Sequence, residues 1–248
     1  MLLHMQESII VIPCYNEANR LDPGHFIRFV QSRPGCSILF VDDGSTDRTA
    51  MILDHLALEM PKKIRVLHLP LNQGKATAVT SGIRLALRPS PGEPAPDLIG
   101  YLDADLSTSL EEWFRLAGIV QSGELDYAFA SRVRMLGSTI DRSAFRHLSG
   151  RLIATLIDSR YRLGIYDTQC GAKVFRPTLA SALFEPPFTT RWLFDVEIFL
   201  RIRRLSPPPR GEEIPLLEWK STKHSGLNAL AAPAIAAELT KLFKTYPR

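Results

Sequence analysis

Two carboxylates, Asp103 and Asp105, close the apolar run Leu98-Ile-Gly-Tyr-Leu-Asp-Ala-Asp105. A run of this kind reads as a buried strand with the acids at its carboxyl end. In open α/β sheets, ligands bind outside the carboxyl ends of the strands. Two hard oxygen donors beside phosphates suit Mg²⁺ or Mn²⁺. If the strand continues, alternation sets both acids on one side; if it stops, one of them can turn towards a cation. The plainer reading is a strand end with an Asp N-cap for a helix beginning near Ser109. A three-residue pattern does not choose between these readings, so the surrounding elements must.

Those elements alternate. Ser8-Ile-Ile-Val-Ile-Pro13 is a β-branched strand, followed by the polar turn Cys14-Tyr-Asn-Glu17 and a helix over about 18–32. Cys36–Val41 is a second strand, followed at once by Asp42-Asp-Gly-Ser-Thr-Asp47. Gly44 permits a tight turn there, and Ser45 or Thr46 can cap a helix that runs to about Met60. Ile64–Leu69 is a third strand, and Asn72-Gln-Gly-Lys75 opens a helix to about Arg88. The Leu98–Asp105 strand and a helix over Leu110–Ser122 follow. Alternation of this kind implies parallel strands with right-handed crossovers, hence an α/β fold. Tyr15, Glu17, Asp42, Asp43, Lys75, Asp103 and Asp105 then fall along one edge of one sheet. Core packing explains none of them.

The second half departs from the repeat. The pattern predicts strands over Tyr127–Arg132, Thr168–Phe175 (interrupted by Gly171) and Ile214–Lys220. It predicts a helix over Arg142–Tyr161 with an apolar stripe of Phe145, Leu148, Leu152 and Leu156. A helix over Trp192–Leu205 carries Asp195 and Glu197 near its start, and an amphipathic helix over Leu227–Tyr246 is kinked at Pro233.

Length and composition agree with one large α/β domain: 248 residues, 45% hydrophobic and 23% charged. Three cysteines without a C-x-x-C pair argue against a disulfide partner and for a reducing, cytoplasmic compartment. No signal-peptide pattern is present, and no run approaches the ~18 apolar residues of a membrane span. The net charge of +4 is local: seven arginines between Arg132 and Arg162 face only Asp141 and Asp158. Such a patch suits an anionic ligand or membrane surface, or is simply a solvated face.

Taken together, Val11-Ile-Pro-Cys-Tyr-Asn-Glu17, Val41-Asp-Asp-Gly-Ser-Thr-Asp47, Asn72-Gln-Gly-Lys75 and Asp103-Ala-Asp105 resemble the family-2 glycosyltransferases with the GT-A fold. Ser131-Arg132, Arg142-Ser-Ala-Phe-Arg146, Asp167-Thr-Gln-Cys-Gly171 and Arg191-Trp-Leu-Phe-Asp-Val-Glu197 resemble the dolichyl-phosphate glucosyltransferase branch. Dolichyl-phosphate mannose synthases are similar over the first half and differ around Thr-Gln-Cys-Gly. The resemblance spans roughly residues 8–225 and implies a single domain over 1–248. Within it, 8–125 binds the nucleotide sugar, 126–225 binds the acceptor, and 226–248 forms the C-terminal helix.

The resemblance implies roles. Pro13, Tyr15, Glu17, Asp42 and Asp43 would line the nucleotide pocket, with Lys75 and Asp103 beside the nucleotide. Asp103 and Asp105 would hold Mg²⁺ or Mn²⁺ on the diphosphate, with His224 closing over it or joining as a ligand. The metal would stabilise the leaving nucleoside diphosphate. Arg132, Arg142, Arg146 and Gln169 would receive the acceptor's phosphate, as guanidinium forks do well. A lipid phosphate is already nucleophilic, whereas a hydroxyl acceptor would need a base, for which Asp195 and Glu197 are the candidates. Their plainer reading is as acids favoured by a helix's first turn; that of His224 is a surface histidine.

The implied reaction is inverting, metal-dependent transfer of glucose from a UDP-sugar to a polyprenyl or dolichyl phosphate, with the enzyme peripheral on the cytoplasmic membrane face. Departures from the family pattern are Ser107 after the D-x-D, Ala76 after Lys75, and no N-terminal anchor. The C-terminal helix and the arginine segment would supply membrane contact, unless that helix simply packs on the core. Rival readings are a GDP-mannose-dependent mannosyltransferase and a UDP-sugar transferase with a soluble or saccharide hydroxyl acceptor. A nucleotidyltransferase would want a Gly-rich basic loop after the first strand, where Cys14-Tyr-Asn-Glu17 is acidic. A peripheral binder of anionic surfaces would leave the strand-end motifs unexplained, and no nucleic-acid partner is expected.

Overall fold

The computed structural model describes residues 7–89, 94–141, 144–220 and 232–247, with 144–149 and 232 described by main chain alone. The elements are β1 (Ser8–Cys14), α1 (Pro23–Ser32), β2 (Cys36–Asp42), α2 (Thr49–Glu59), β3 (Ile64–His68), α3 (Lys75–Ala86), β4 (Leu98–Leu102), α4 (Leu110–Ser122) and β5 (Tyr127–Ser131). They continue as β6 (Thr139–Asp141), α5 (Ala144–Tyr161), β7 (Ala172–Phe175), α6 (Pro177–Phe184), α7 (Phe194–Ile202), β8 (Gly211–Pro215), β9 (Glu218–Lys220) and α8 (Ala232–Thr245).

One seven-stranded sheet runs β3-β2-β1-β4-β7-β5-β8. Its pairings are parallel except at β7, which is antiparallel to both β4 and β5. β6 and β9 form a separate parallel pair. Strand alternation distributes the core over both faces. Ile10, Ile12, Ile38 and Phe40 pack with α1, α2 and α4, while Val11, Leu39 and Val41 pack with α3, α6 and α7. A third cluster joins Ile153, Ile157 and Tyr161 of α5 to Val196 and Leu200 of α7 and to Leu242 and Tyr246 at α8. The C-terminal amphipathic helix therefore packs on the core through its apolar face.

Several expected boundaries shift for local reasons. The first helix begins at Pro23, a residue suited to a first turn because its missing N–H is not needed there. The described part of the C-terminal helix is α8 (Ala232–Thr245), and the upstream part of the expected helix from Leu227, on the far side of Pro233, lies outside the described residues. The second helix starts at Thr49, because Asp47 takes the Thr49 N–H at 2.9 Å, while Ser45 and Thr46 turn to Asn16. The expected strand over 214–220 breaks into β8 and β9, while β6 and α6 lie outside the expected set. On α5 the described part of the expected stripe is displaced, the side chains of Phe145 and Leu148 lying outside the described residues. Leu152 and Leu156 are 62% and 46% exposed, and the buried face is Ile153, Ile157 and Tyr161, one residue round the helix.

Candidate active site

The carboxyl ends of β1, β2 and β4 lie together at one edge of the sheet, beside the amino end of the reversed β7. The turns that leave β1 and β2 are stitched to one another. Asn16 N–H donates to Ser45 Oγ at 3.0 Å, Thr46 N–H to Asn16 Oδ1 at 2.8 Å, and Glu17 N–H to Thr49 Oγ1 at 2.8 Å. Asn16 adopts φ 54° to make this turn, a region asparagine tolerates. Pro13 is half-buried at the end of β1, while the Tyr15 ring is 44% exposed at the rim.

The adjacent aspartates Asp42 and Asp43 are both buried and face different tasks. Asp42 accepts from Ser45 N–H at 3.0 Å and meets His68 Nδ1 at 3.1 Å. Asp43 accepts from Gln73 N–H at 2.8 Å and Gly74 N–H at 2.7 Å, so its carboxylate fixes the loop that presents Lys75. Gly74 has φ +92°, and a β-carbon there would stand 2.8 Å from Arg191 Nε. Arg191 thus lies against this loop, with its Nη2 3.4 Å from Asn72 Oδ1.

β4 ends at Leu102, and the chain turns, so Asp103 and Asp105 are separated from strict alternation. Lys75 Nζ lies 2.6 Å from Asp103 Oδ1 and 3.9 Å from Asp195 Oδ2. Asp105 is oriented by Ser107, whose N–H and hydroxyl donate to its two oxygens at 2.9 and 3.0 Å. Behind this front row, Asp195 is buried. It accepts from the Tyr101 hydroxyl and from Lys173 Nζ, the latter at 2.5 Å. Tyr101 and Lys173 are register partners across the antiparallel β4–β7 pair, which brings both to Asp195. Lys173 also donates to Cys170 O at 2.7 Å.

Charge at this edge is predominantly negative. Loss of hydration raises Asp103 above the ordinary carboxylate range, Asp105 and Asp195 add to the rise, and Lys75 only partly offsets it. Glu17 is raised by burial and by Asp105 and Asp103, against the Arg20 guanidinium 2.5 Å away. Lys75 titrates well above the ordinary lysine value, because Asp103 and Asp195 outweigh its own burial. A carboxylate that stays raised with an ammonium in contact is one that a further cation would stabilise.

Asp103 and the Ser107-oriented Asp105 are hard donors suited to Mg²⁺ or Mn²⁺. Among the described residues they form no closed set of three or more protein ligands. That fits Mg²⁺, which commonly takes one or two carboxylates and completes its shell with substrate phosphates and water. His224 lies outside the described residues.

The expected acceptor residues separate. Arg132 follows β5, and its fork is already engaged, with Nε and Nη2 donating to Asp167 at 2.7 and 2.8 Å. Arg132 also titrates higher than usual; burial opposes this and Asp167 overcomes it. Half-buried Gln169 shares a small cleft with Arg132, Arg151, Tyr166 and Thr168. Arg151 there is held by Tyr166 O at 2.8 Å and stacks over the Tyr166 ring. Arg146 lies on α5, where only the main chain is described, and Arg142 lies outside the described residues.

Of the two candidate bases, only Asp195 reaches the cluster. Two residues along α7 is about 200° of rotation, so Glu197 faces the other way. Its carboxylate accepts from Thr189, Thr190, Arg201 and the Tyr246 hydroxyl. The structure therefore gives Glu197 a bracing role between α7, the 189–190 loop and the C-terminal helix.

Tyr101, Gly171, Lys173 and Arg191 join the site beyond the expected residues. Lys173 had a signal: a lone lysine inside a buried strand needs a paired charge. Cys14, Cys36 and Cys170 are buried free thiols, with Cys36 and Cys170 pushed up to about 11 by burial.

Comparison with known proteins gives concordant matches. The model for glycosyl transferase family 2 matches residues 9–184. A dolichyl-phosphate beta-glucosyltransferase, ALG5C of Trichomonas vaginalis, is 30% identical over 248 residues, covering 95% of this chain and 70% of its own. A polyprenol monophosphomannose synthase of Mycolicibacterium smegmatis is 34% identical over 173 residues, covering 69% of this chain and 62% of its own. Among solved structures, glucosyl-3-phosphoglycerate synthase from Mycobacterium tuberculosis, in complex with Mn²⁺, UDP and glucosyl-3-phosphoglycerate, superimposes with a TM-score of 0.71 at 15% identity. That match covers 97% of this chain and 80% of that one. The fold is thus GT-A.

Proposed function

We propose that this chain, which belongs to glycosyl transferase family 2, moves glucose from UDP-glucose to the phosphate of a polyprenyl or dolichyl lipid, with inversion and with Mg²⁺ or Mn²⁺. The observation that carries the donor half is the Asp103–Asp105 turn beside Glu17 and Lys75, an anionic edge open to a cation. The names of the relatives support glucose and a lipid phosphate.

In this reading the nucleotide lies over the stitched 13–17 and 42–47 turns, with Asp42 as the polar anchor for the base. Asp103 and Asp105 would hold Mg²⁺ or Mn²⁺, which would supply charge stabilisation to a leaving diphosphate. Lys75, whose pKa is raised by its carboxylate neighbours, would stand as a cation beside that diphosphate. Tyr101, Asp195 and Lys173 keep Lys75 and Asp103 in place. A phosphate acceptor brings its own nucleophilic oxygen. That is consistent with Asp195 being engaged by Lys173 and Tyr101 in the core. Arg151 and Gln169, beside the Arg132–Asp167 pair, are the groups that would meet the acceptor's phosphate.

A mannosyl reading is favoured by the 34% identity to the polyprenol monophosphomannose synthase. Calorimetric titration with UDP and with GDP, each with and without Mn²⁺, separates the two. UDP binding that weakens without metal, followed by transfer from UDP-glucose to dolichyl phosphate, is the expected result. A preference for GDP moves the donor to GDP-mannose. Binding of neither removes the donor-site reading.

A further inference from the structure

Three helices end together on the side of α7 remote from Asp195: α5 at Tyr161, α7 at Ile202 and α8 at Thr245. Arg203 begins the segment after α7, roughly 12 Å along the axis from Asp195 at about 1.5 Å per residue. We propose that the cleft between these ends, lined by Arg160, Arg162, Arg203, Arg204, Tyr161 and Tyr246, is a second anion site that takes a phosphate group.

Helix ends alone do not account for the charge. Each carboxyl terminus carries about half a negative charge, so three supply about −1.5 against four guanidinium cations. Two of the four are partly used, since Arg203 Nη1 donates to Tyr161 O and the Arg160 side chain bonds the Tyr161 hydroxyl. Among the described residues none of the four is ion-paired. The nearby acids are committed elsewhere: Glu197 to Arg201 and the Tyr246 hydroxyl, and Asp158 to Gly164 N–H at 2.9 Å.

The forks are also held in place. Arg204 lies 4.4 Å over the Tyr246 ring and Arg160 5.3 Å over Phe243. Arg160 Nε is buried with no hydrogen-bond acceptor. A buried donor left unsatisfied is costly, and an acceptor oxygen in the cleft would satisfy it. Preorganised guanidinium forks match phosphate oxygens bidentately. The cleft offers about 340 Å³, enough for a phosphorylated small molecule or the headgroup of an anionic lipid.

The test compares the wild-type chain with R162Q/R204Q, two exposed positions, by calorimetric titration with inorganic pyrophosphate in the absence of divalent metal. The expected result is binding that weakens at least tenfold in the variant while the melting temperature is unchanged. Equal binding by both proteins overturns the site. R162K/R204K keeps the charges at the helix ends and removes two of the four forks. Weakened binding there, too, at an unchanged melting temperature, supports bidentate recognition. Sedimentation with phosphatidylcholine vesicles, with and without phosphatidylglycerol, identifies the source. Retention on the anionic vesicles that R162Q/R204Q loses assigns the site to a lipid headgroup. Pyrophosphate binding without vesicle retention assigns it to a soluble phosphate.

Discussion

Gly171 and Asp103 are in such close contact that a β-carbon at position 171 would stand 1.9 Å from Asp103 Oδ2. Asp103 N–H also donates to Gly171 O at 3.2 Å. The Thr-Gln-Cys-Gly segment and the D-x-D turn, almost seventy residues apart in sequence, are therefore a single piece of local structure.

Gly171→Ala must displace the Asp103 carboxylate. A displacement of about 1 Å at a reacting centre can cost about a hundredfold in rate. The expected outcome is a loss of that order in kcat/KM with Mn²⁺-dependent UDP binding weakened in parallel. Wild-type turnover by this variant would dissociate the two segments functionally.

Lys173→Met leaves Asp195 charged and without its main partner in the core, where Lys173 is fully buried and Asp195 3% exposed. Breaking a buried pair from one side costs about 3–5 kcal/mol. Urea denaturation should show a loss in that range, and Lys173→Met combined with Asp195→Leu should recover part of it. A loss below about 1 kcal/mol in the single variant would mean the pair contributes little.

Glu197→Gln and Asp195→Asn should fail in different ways. Glu197→Gln removes charge-assisted bonds, each typically worth about 1.5–3 kcal/mol, so its melting temperature falls while the folded enzyme keeps its turnover. Asp195→Asn weakens the hold on Lys75 and should lower kcat. Loss of kcat in folded Glu197→Gln would return that residue to consideration as a base.

His68 carries a pH signature. Burial lowers its pKa, but hydrogen bonds to Asp42 and Asp54 outweigh this, and the net shift is upward from 6.5. A histidine raised in the folded state contributes stability that is fully present below the unfolded value and is lost as pH rises through the folded one. The melting-temperature gap between wild type and His68→Gln should therefore be larger near pH 6 than near pH 9. A gap that does not change with pH would show that the Asp42–His68–Asp54 bridge does not depend on charge.

The strand-end motifs were legible because each closes a short apolar run, and parallel pairing then fixes which edge they share. The reversal of β7 was not. Ala172–Phe175 is a four-residue apolar segment around one lysine, and nothing local records the direction from which it enters the sheet. The partners of Lys173 were hidden for the same reason, since Tyr101 and Asp195 become its neighbours only through the β4–β7 register. The α5 stripe was misplaced because leucines and isoleucines both recur at a spacing of four on adjacent positions. Packing against α7 and α8 selects Ile153 and Ile157. Arg132 was expected as a phosphate ligand, and two of its donors also engage Asp167, a pairing that pattern reading cannot see across thirty-five positions.

The antiparallel seat of β7 between β4 and β5 also bears on how the chain matures. As synthesis proceeds from the amino end, β4 gains β1 on one side early. Its other edge stays open until residues 172–175 have emerged. During that interval an apolar strand ending in the D-x-D turn presents unpaired amides, the kind of surface on which nascent chains misassociate. A cut at residue 125 would make that interval permanent. Residues 8–125 are thus contiguous in sequence, and a truncation that keeps all of their strand-end motifs would still lack the strand that covers the second edge of β4.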